Sequence, residues 1–141
     1  MIQAILALVF FIVWGADSFW LNWTTGILIV PYLIRTGAFI VLLAIGGYIT
    51  WSAHKLIFGT VREEAELVDY GVFRESRHPM YLGIMIMYLG LILSSMSIAS
   101  FILLVGIFLF YNYIAAYEER KLTEHFGDKY RDYMKRVRRW L

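Results

Sequence analysis

Residues 79–117 read PMYLGIMIMYLGLILSSMSIASFILLVGIFLFYNYIAAY, thirty-nine positions without an Asp, Glu, Lys, Arg or His. As one helix this run would measure about 58 Å, nearly twice the ~30 Å hydrocarbon core of a bilayer. It is therefore read as two spans. The polar SSMS at 94–97 supplies the turn between them, giving a helical hairpin of about 80–94 and 98–117. A hairpin returns to the side it left. The charged residues before Pro79 and those after Tyr117 then lie on one face of the membrane.

The composition agrees with this reading. Hydrophobic residues make up 60% of the 141 and charged residues 17%, against about 25% charged in a soluble domain. A soluble chain this short cannot hide so much apolar surface, whereas lipid accepts it. There is no cysteine, which excludes disulfides, thiolate metal sites and cysteine nucleophiles. The net charge of +2 gives no reason to expect a nucleic-acid partner.

Outside the hairpin, residues 1–16 form an uncharged first span. It lacks the positive start and small-residue cleavage site of a signal peptide, so it is expected to be retained. Residues 17–26, DSFWLNWTTG, carry interfacial aromatics. ILIVPYLI at 27–34 is an interfacial or re-entrant piece, or the start of the next helix. Residues 36–58 form a clear span with Gly37, Ala44, Gly46 and Gly47 as a small-residue face, ended by Gly59. The connector 59–78 is polar. In the tail, Leu122, Phe126, Tyr130, Tyr133, Met134, Val137 and Trp140 recur every three or four residues. They predict an amphipathic helix over 118–139, with FGD at 126–128 as a place to kink or break.

The expected fold class is thus an all-α integral membrane protein, one domain over 1–141. It has about four transmembrane helices, or five if 18–34 also spans, and a C-terminal amphipathic helix. Residues 117–141 hold eight Lys/Arg against five Asp/Glu, and the rest five against six. The positive-inside rule puts that tail, the connector and both ends of the hairpin in the cytoplasm.

Three polar clusters should meet there: Arg77-His78, the YEER of 117–120, and the connector. Pro79 suits the first turn of a helix, which leaves His78 near the N-cap beside free backbone N–H groups. That corner and Arg77 suit a carboxylate. Glu118 and Glu119 suit a cation. Gly83 would let a flat ligand approach, and the stripe Asn112, Ala115, Ala116, Glu119 leaves room for bulk. S-adenosylmethionine has the matching groups: carboxylate, ammonium, sulfonium and adenine. The blander alternatives stay open at this level. Arg77 could simply pair with a glutamate at the interface, His78 could be only a cap, and the tail helix only an anchor.

ELVDYGVFRESRHPMYLG (66–83) and, beyond the hairpin, EERKLTEHFGDKYRDYMKRV (118–137) resemble the isoprenylcysteine carboxyl methyltransferase and phospholipid methyltransferase superfamily. The pattern Arg-His-Pro-x-Tyr-x-Gly is met by Arg77, His78, Pro79, Tyr81 and Gly83, and the glutamate pair by Glu118 and Glu119. FGDKYRDY also looks like the superfamily's tail motif. The resemblance covers 66–139; residues 1–60 carry no motif of it.

This resemblance implies a membrane enzyme that moves a methyl group from S-adenosylmethionine to a lipophilic acceptor. The cofactor would be held by His78, Pro79, Tyr81, Leu82, Gly83, Glu118 and Glu119. Arg77, His78 and Glu119 would be the catalytic set, Arg74 would help steady acidic groups, and no metal is implied. The connector and tail would fold over the cofactor. The chain is shorter than the eukaryotic carboxyl methyltransferases and has fewer spans. Isoprenylcysteine carboxyl O-methylation is the first expectation and aminophospholipid N-methylation the second. Two further classes stand beside them. NADPH-dependent sterol-type reductases share an Arg-His-Pro segment but usually have Asn where this chain has Met80. A non-enzymatic membrane scaffold would leave both motifs as coincidence.

Overall fold

A computed structural model describes residues 2–21, 30–59 and 67–141. The described chain is helical, and no strand occurs among these residues. Helix α1 (Ile2–Gly15) runs on into a π-helical turn, Ala16–Leu21. It is followed by α2 (Tyr32–Phe58), a 3₁₀ turn (Gly71–Arg74), α3 (Pro79–Ser95), α4 (Ile98–Phe126) and α5 (Asp128–Arg136). Among the described residues, three stretches are long and apolar enough to cross a membrane: Ile2–Leu21, Tyr32–Phe58 and Ile98–Phe126. Pro79–Ser95 is a shorter apolar helix. The all-α membrane architecture is the expected one.

Two boundaries differ from expectation. Helix α2 begins four residues early, at Tyr32, because Pro31 acts as its starting residue. The Pro31 carbonyl accepts from the N–H of Ile34 (3.0 Å) and of Arg35 (3.2 Å). Residues 32–34 of the ambiguous ILIVPYLI segment thus belong to α2, while 22–29 lie outside the described residues. The tail is also not one helix over 118–139. Helix α4 continues to Phe126, and Gly127 breaks it with φ +57°, a conformation that favours glycine. After α5 the chain turns extended at Val137 (φ −120°, ψ 131°).

The described chain packs as two groups, residues 1–45 with 85–110 and residues 46–84 with 111–141; α2, α3 and α4 each contribute to both. In the first group the Phe10 and Tyr88 rings stack at 4.1 Å. Trp14 Nε1 donates to the Leu91 carbonyl and to Ser95 Oγ, both at 3.0 Å. The hairpin turn is tight: Met96 takes a left-handed φ of 58°, and Ser97 caps α4 by accepting from the Ser100 N–H (3.2 Å). Ser97 also donates to Asp17 Oδ2 at 2.6 Å, and its oxygen lies 2.9 Å from Ser100 Oγ. Ile2, Leu8, Ile12, Leu33, Ile102 and Leu109 stay more than half exposed, the surface expected of helices that face lipid rather than water.

In the second group the apolar side of the tail is inside. Tyr130, Tyr133 and Val137 are buried against Leu67, Leu122, Phe126 and Met134, so the amphipathic stripe packs on this protein's own residues. Tyr133 donates to the Phe73 carbonyl at 2.7 Å. Burial pushes the Tyr130 phenol up to about 12 and the Tyr133 phenol higher still, so both stay protonated.

Helix α3 meets α2 in this group at Gly83. A Cβ there would run into Thr50 Oγ1 and would come within 2.6 Å of the Gly46 carbonyl. This corrects the sequence expectation for Gly83. The missing side chain is accounted for by helix packing, the small-residue logic of membrane interfaces, not by the approach of a ligand.

Candidate functional site

His78 precedes a proline, which holds it out of the helical region. Its carbonyl accepts the first helical hydrogen bond of α3, from Leu82 N–H at 3.1 Å, and its own N–H donates to Ser76 Oγ at 3.2 Å. The imidazole is thereby fixed at the mouth of α3, buried, with one carboxylate on each nitrogen. Nδ1 lies 3.5 Å from Glu118 Oε2 and Nε2 lies 3.3 Å from Glu119 Oε1. Burial works against a charge on the ring. The hydrogen bonds and Coulomb attraction of the two glutamates outweigh it and raise the pKa above 6.5.

Glu119 is the hub. Arg139 grips it with two nitrogens, Nη2 to Oε2 at 2.6 Å and Nε to Oε1 at 3.0 Å, the fork geometry at which arginine is strongest. Arg77 Nη1 approaches Oε1 at 3.3 Å. The third Arg139 nitrogen, Nη1, donates to Asn112 Oδ1 at 2.9 Å. Asn112 and Glu119 stand two turns apart on α4, so the stripe that sequence reading left open for bulk is spanned by a guanidinium. Glu118 is more exposed and accepts from the Tyr81 hydroxyl at 2.6 Å. The rings of His78 and Tyr81 lie nearly parallel at 5.8 Å, those of Tyr81 and Tyr111 stack at 4.7 Å, and Trp140 sits 6.1 Å from His78 on the other flank.

The chain end completes this arrangement. The Arg77 N–H donates to the Arg138 carbonyl (3.1 Å), and Ser76 Oγ donates to the Arg139 carbonyl (3.0 Å). An unbroken helix could not make these bonds, because its carbonyls would be taken or turned along its own axis. The extended 137–141 segment carries Arg139 and Trp140 back to the start of α3.

The structure therefore brings together Arg77, His78, Tyr81, Glu118 and Glu119, the charged and aromatic core of the expected set. Pro79 and Leu82 are placed as the first turn of α3, and Gly83 is turned to α2. Arg74 ends the 3₁₀ turn. Part of the connector, 60–66, lies outside the described residues. Sequence reading missed Arg139, Trp140 and Ser76. Arg139 lay in a basic-aromatic RRW at 138–140 that reads as an ordinary charged tail, Trp140 read only as part of the tail's apolar stripe, and Ser76 had no signal of its own.

Two features bear on whether a zwitterionic cofactor suits these residues. Arg77 Nε is buried without a hydrogen-bond partner among the described residues, a donor with capacity for a carboxylate. Beside Glu119 and Arg139 lies an open cleft of about 600 Å³, lined also by Ala116, Thr123 and Met134, within the ~300–1,000 Å³ usual for small-molecule sites. The donor set suits the charged groups of S-adenosylmethionine, while of the expected cofactor set only Glu119 lines this cleft.

The family model for phospholipid methyltransferase matches residues 29–129, more than half of the chain. This chain belongs to the phospholipid methyltransferase family. The match takes in the Arg-His-Pro motif, the whole hairpin and the glutamate pair, and ends inside FGDKYRDY. It also reaches back to residue 29, into a region where no motif was legible, and stops before Arg139. No curated protein matches the chain, and neither does any solved structure. Membership makes the chain a membrane methyltransferase directed at a lipid-type acceptor, in a family that generally uses S-adenosylmethionine. The reductase and scaffold readings give way to it.

Proposed function

We propose that the chain, acting as one methyltransferase domain over 1–141, methylates the carboxylate of a lipophilic acceptor such as a prenylated cysteine. The site would open to the cytoplasm. The observation that carries this reading is the convergence of two guanidiniums, Arg77 and Arg139, on the one carboxylate of Glu119. One positive charge is left over, and it favours an anionic acceptor group.

S-adenosylmethionine supplies an electrophilic methyl on a sulfonium. Arg77 Nε is the free donor for its carboxylate, and Glu118, the exposed glutamate, is the acceptor for its ammonium. Glu119 is fully engaged by Arg139 and serves to hold Arg77, His78 and Arg139 in place. His78 and Tyr81 would stand beside the ligand, Pro79 sets the α3 mouth, and Leu82 contributes backbone there. A carboxylate acceptor carries no proton to be lost. Its negative charge and the sulfonium's positive charge both vanish as the methyl moves, which a poorly solvated site favours. The two glutamates raise the His78 pKa, which weakens it as a base, and a carboxylate acceptor needs none.

The second reading is N-methylation of an aminophospholipid, favoured by the family match itself. An ammonium acceptor must first lose a proton, and Glu118 is then the accessible base. Purified protein offered radiolabelled S-adenosylmethionine with a farnesylated cysteine or with phosphatidylethanolamine decides between them. The proposal expects label in the base-labile methyl ester. Label only in the phospholipid replaces it with the second reading, and label in neither removes both.

Sidedness has its own test. The chain has no cysteine, so single cysteines at Glu64 and Lys129 can be labelled without background. Both should react only from the cytoplasmic side.

A further inference from the structure

The first packed group contains only two charged residues, Asp17 and Arg35. Asp17 is buried and receives the Ser97 hydroxyl. Arg35 forms no ion pair among the described residues, and its Nε is buried with no acceptor. Ser18 Oγ is likewise buried without a partner among the described residues. Both residues line the same cavity of about 520 Å³, together with Trp14, Tyr32, Thr36 and Ser95. A buried guanidinium nitrogen with no acceptor is costly in a low-dielectric setting. Two such orphans on one cavity wall point to an absent ligand that accepts hydrogen bonds. No carboxylate lines the cavity among the described residues, a lining that suits an anion better than a cation. None of its residues belongs to the charged cluster around Glu119.

The surroundings identify the source of the anion. The cavity lies where α1 passes into its π-helical turn and α2 begins, beside Phe19, Trp20, Tyr32, Leu33 and Ile34, all strongly exposed. Aromatic and aliphatic side chains displayed at helix ends belong to the zone where lipid phosphates lie. We propose that this cavity binds the phosphate of a membrane phospholipid, with Arg35 as its counter-ion and Ser18 as a second donor. The bound lipid is a resident of this site, apart from whatever acceptor the enzyme methylates.

Whole protein in detergent, at about 0.5 M salt to screen the exposed tail charges, should retain phosphatidic acid through native mass spectrometry and melt at a higher temperature with it. Diacylglycerol with the same tails should be held at least tenfold more weakly. Arg35→Gln should lose the tenfold preference and the melting shift, Ser18→Ala should weaken binding severalfold, Arg35→Lys should keep most of it, and Lys129→Gln in the tail should change nothing. Without lipid, Arg35→Gln should melt no lower than the parent, because the cation it removes has no partner. A lower melting temperature, or failure of that variant to fold, would show that Arg35 serves the fold and overturn the proposal. So would undiminished phosphatidic acid binding in Arg35→Gln, or equal retention of diacylglycerol. Displacement of the lipid by an equal concentration of glycerol 3-phosphate would make this a site for soluble phosphate, and the lipid assignment would fall.

Discussion

Among the described residues each packed group buries one acid, and the two acids are answered differently. Asp17 receives the hydroxyl of Ser97, itself beside Ser100. Glu119 receives two arginines and a histidine. The difference follows from sequence supply. The first group has a single cation, and Arg35 is turned to a cavity instead; the second group holds every other charged residue of the chain. Hydroxyls can satisfy a carboxylate locally and neutrally, in a setting made to lie in lipid. Cations tie distant segments together: Arg77 before α3, Glu119 late in α4 and Arg139 at the chain end become one unit. Hydroxyl pairing fixes a turn, whereas ion pairing assembles a site.

The contrast predicts that Glu119→Gln is the most damaging single change. It leaves Arg77, His78 and Arg139 crowded without their anion, and breaking a buried pair costs about 3–5 kcal/mol. A melting temperature within a degree of the parent would show that these three side chains find other partners. It should also abolish methyl transfer, whichever acceptor proves correct.

The two groups differ again where α3 crosses α2. A Cβ on Gly83 would strike Thr50 and the Gly46 carbonyl, whereas a Cβ on Gly90 would lie 3.2 Å from Leu42 Cβ and 3.4 Å from the Phe39 carbonyl. Gly83→Ala should therefore destabilise by about 1–3 kcal/mol. Gly90→Ala should fall near zero, since the ~1 kcal/mol gained in helix propensity offsets a slight crowding. Equal effects in parallel melts would mean the two crossings are equally loose. Ser97→Ala removes both a helix cap and the donor to Asp17, and should cost about 1–2 kcal/mol.

One further expected effect is a slope. His78 has a folded pKa raised above 6.5 by its two glutamates, so its charged form stabilises the fold fully below pH 6.5. That contribution disappears as pH rises through the folded value. The melting temperature should decline across that window in the parent, and the decline should be shallower in His78→Gln. Superimposable profiles would show that His78 does not carry the charge that the second group assigns to it.

Much of this protein was decided along the chain. Thirty-nine uncharged positions interrupted by SSMS fixed a hairpin, because lipid tolerates no charge over that length and no single helix needs it. A hairpin in turn brings Arg77-His78 to Glu118-Glu119 by topology alone. The stripe from Leu122 to Trp140 announced a buried face, and the paired motifs announced the family. Other features depended on contacts between residues far apart in sequence. Pro31 as the start of α2 was hidden in an apolar run that read equally well as an interfacial piece. Gly83 looked like a gap for a ligand until Thr50 and Gly46 were seen to fill it. Arg139 looked like one tail charge among eight. It became the main partner of Glu119 only because Gly127 and the extended backbone after Val137 turn the chain end back onto Ser76 and Arg77. Local pattern sets which residues prefer lipid, water or a helix end, since those preferences need no partner. Which charge meets which, and which empty space is packed, was decided only by the fold.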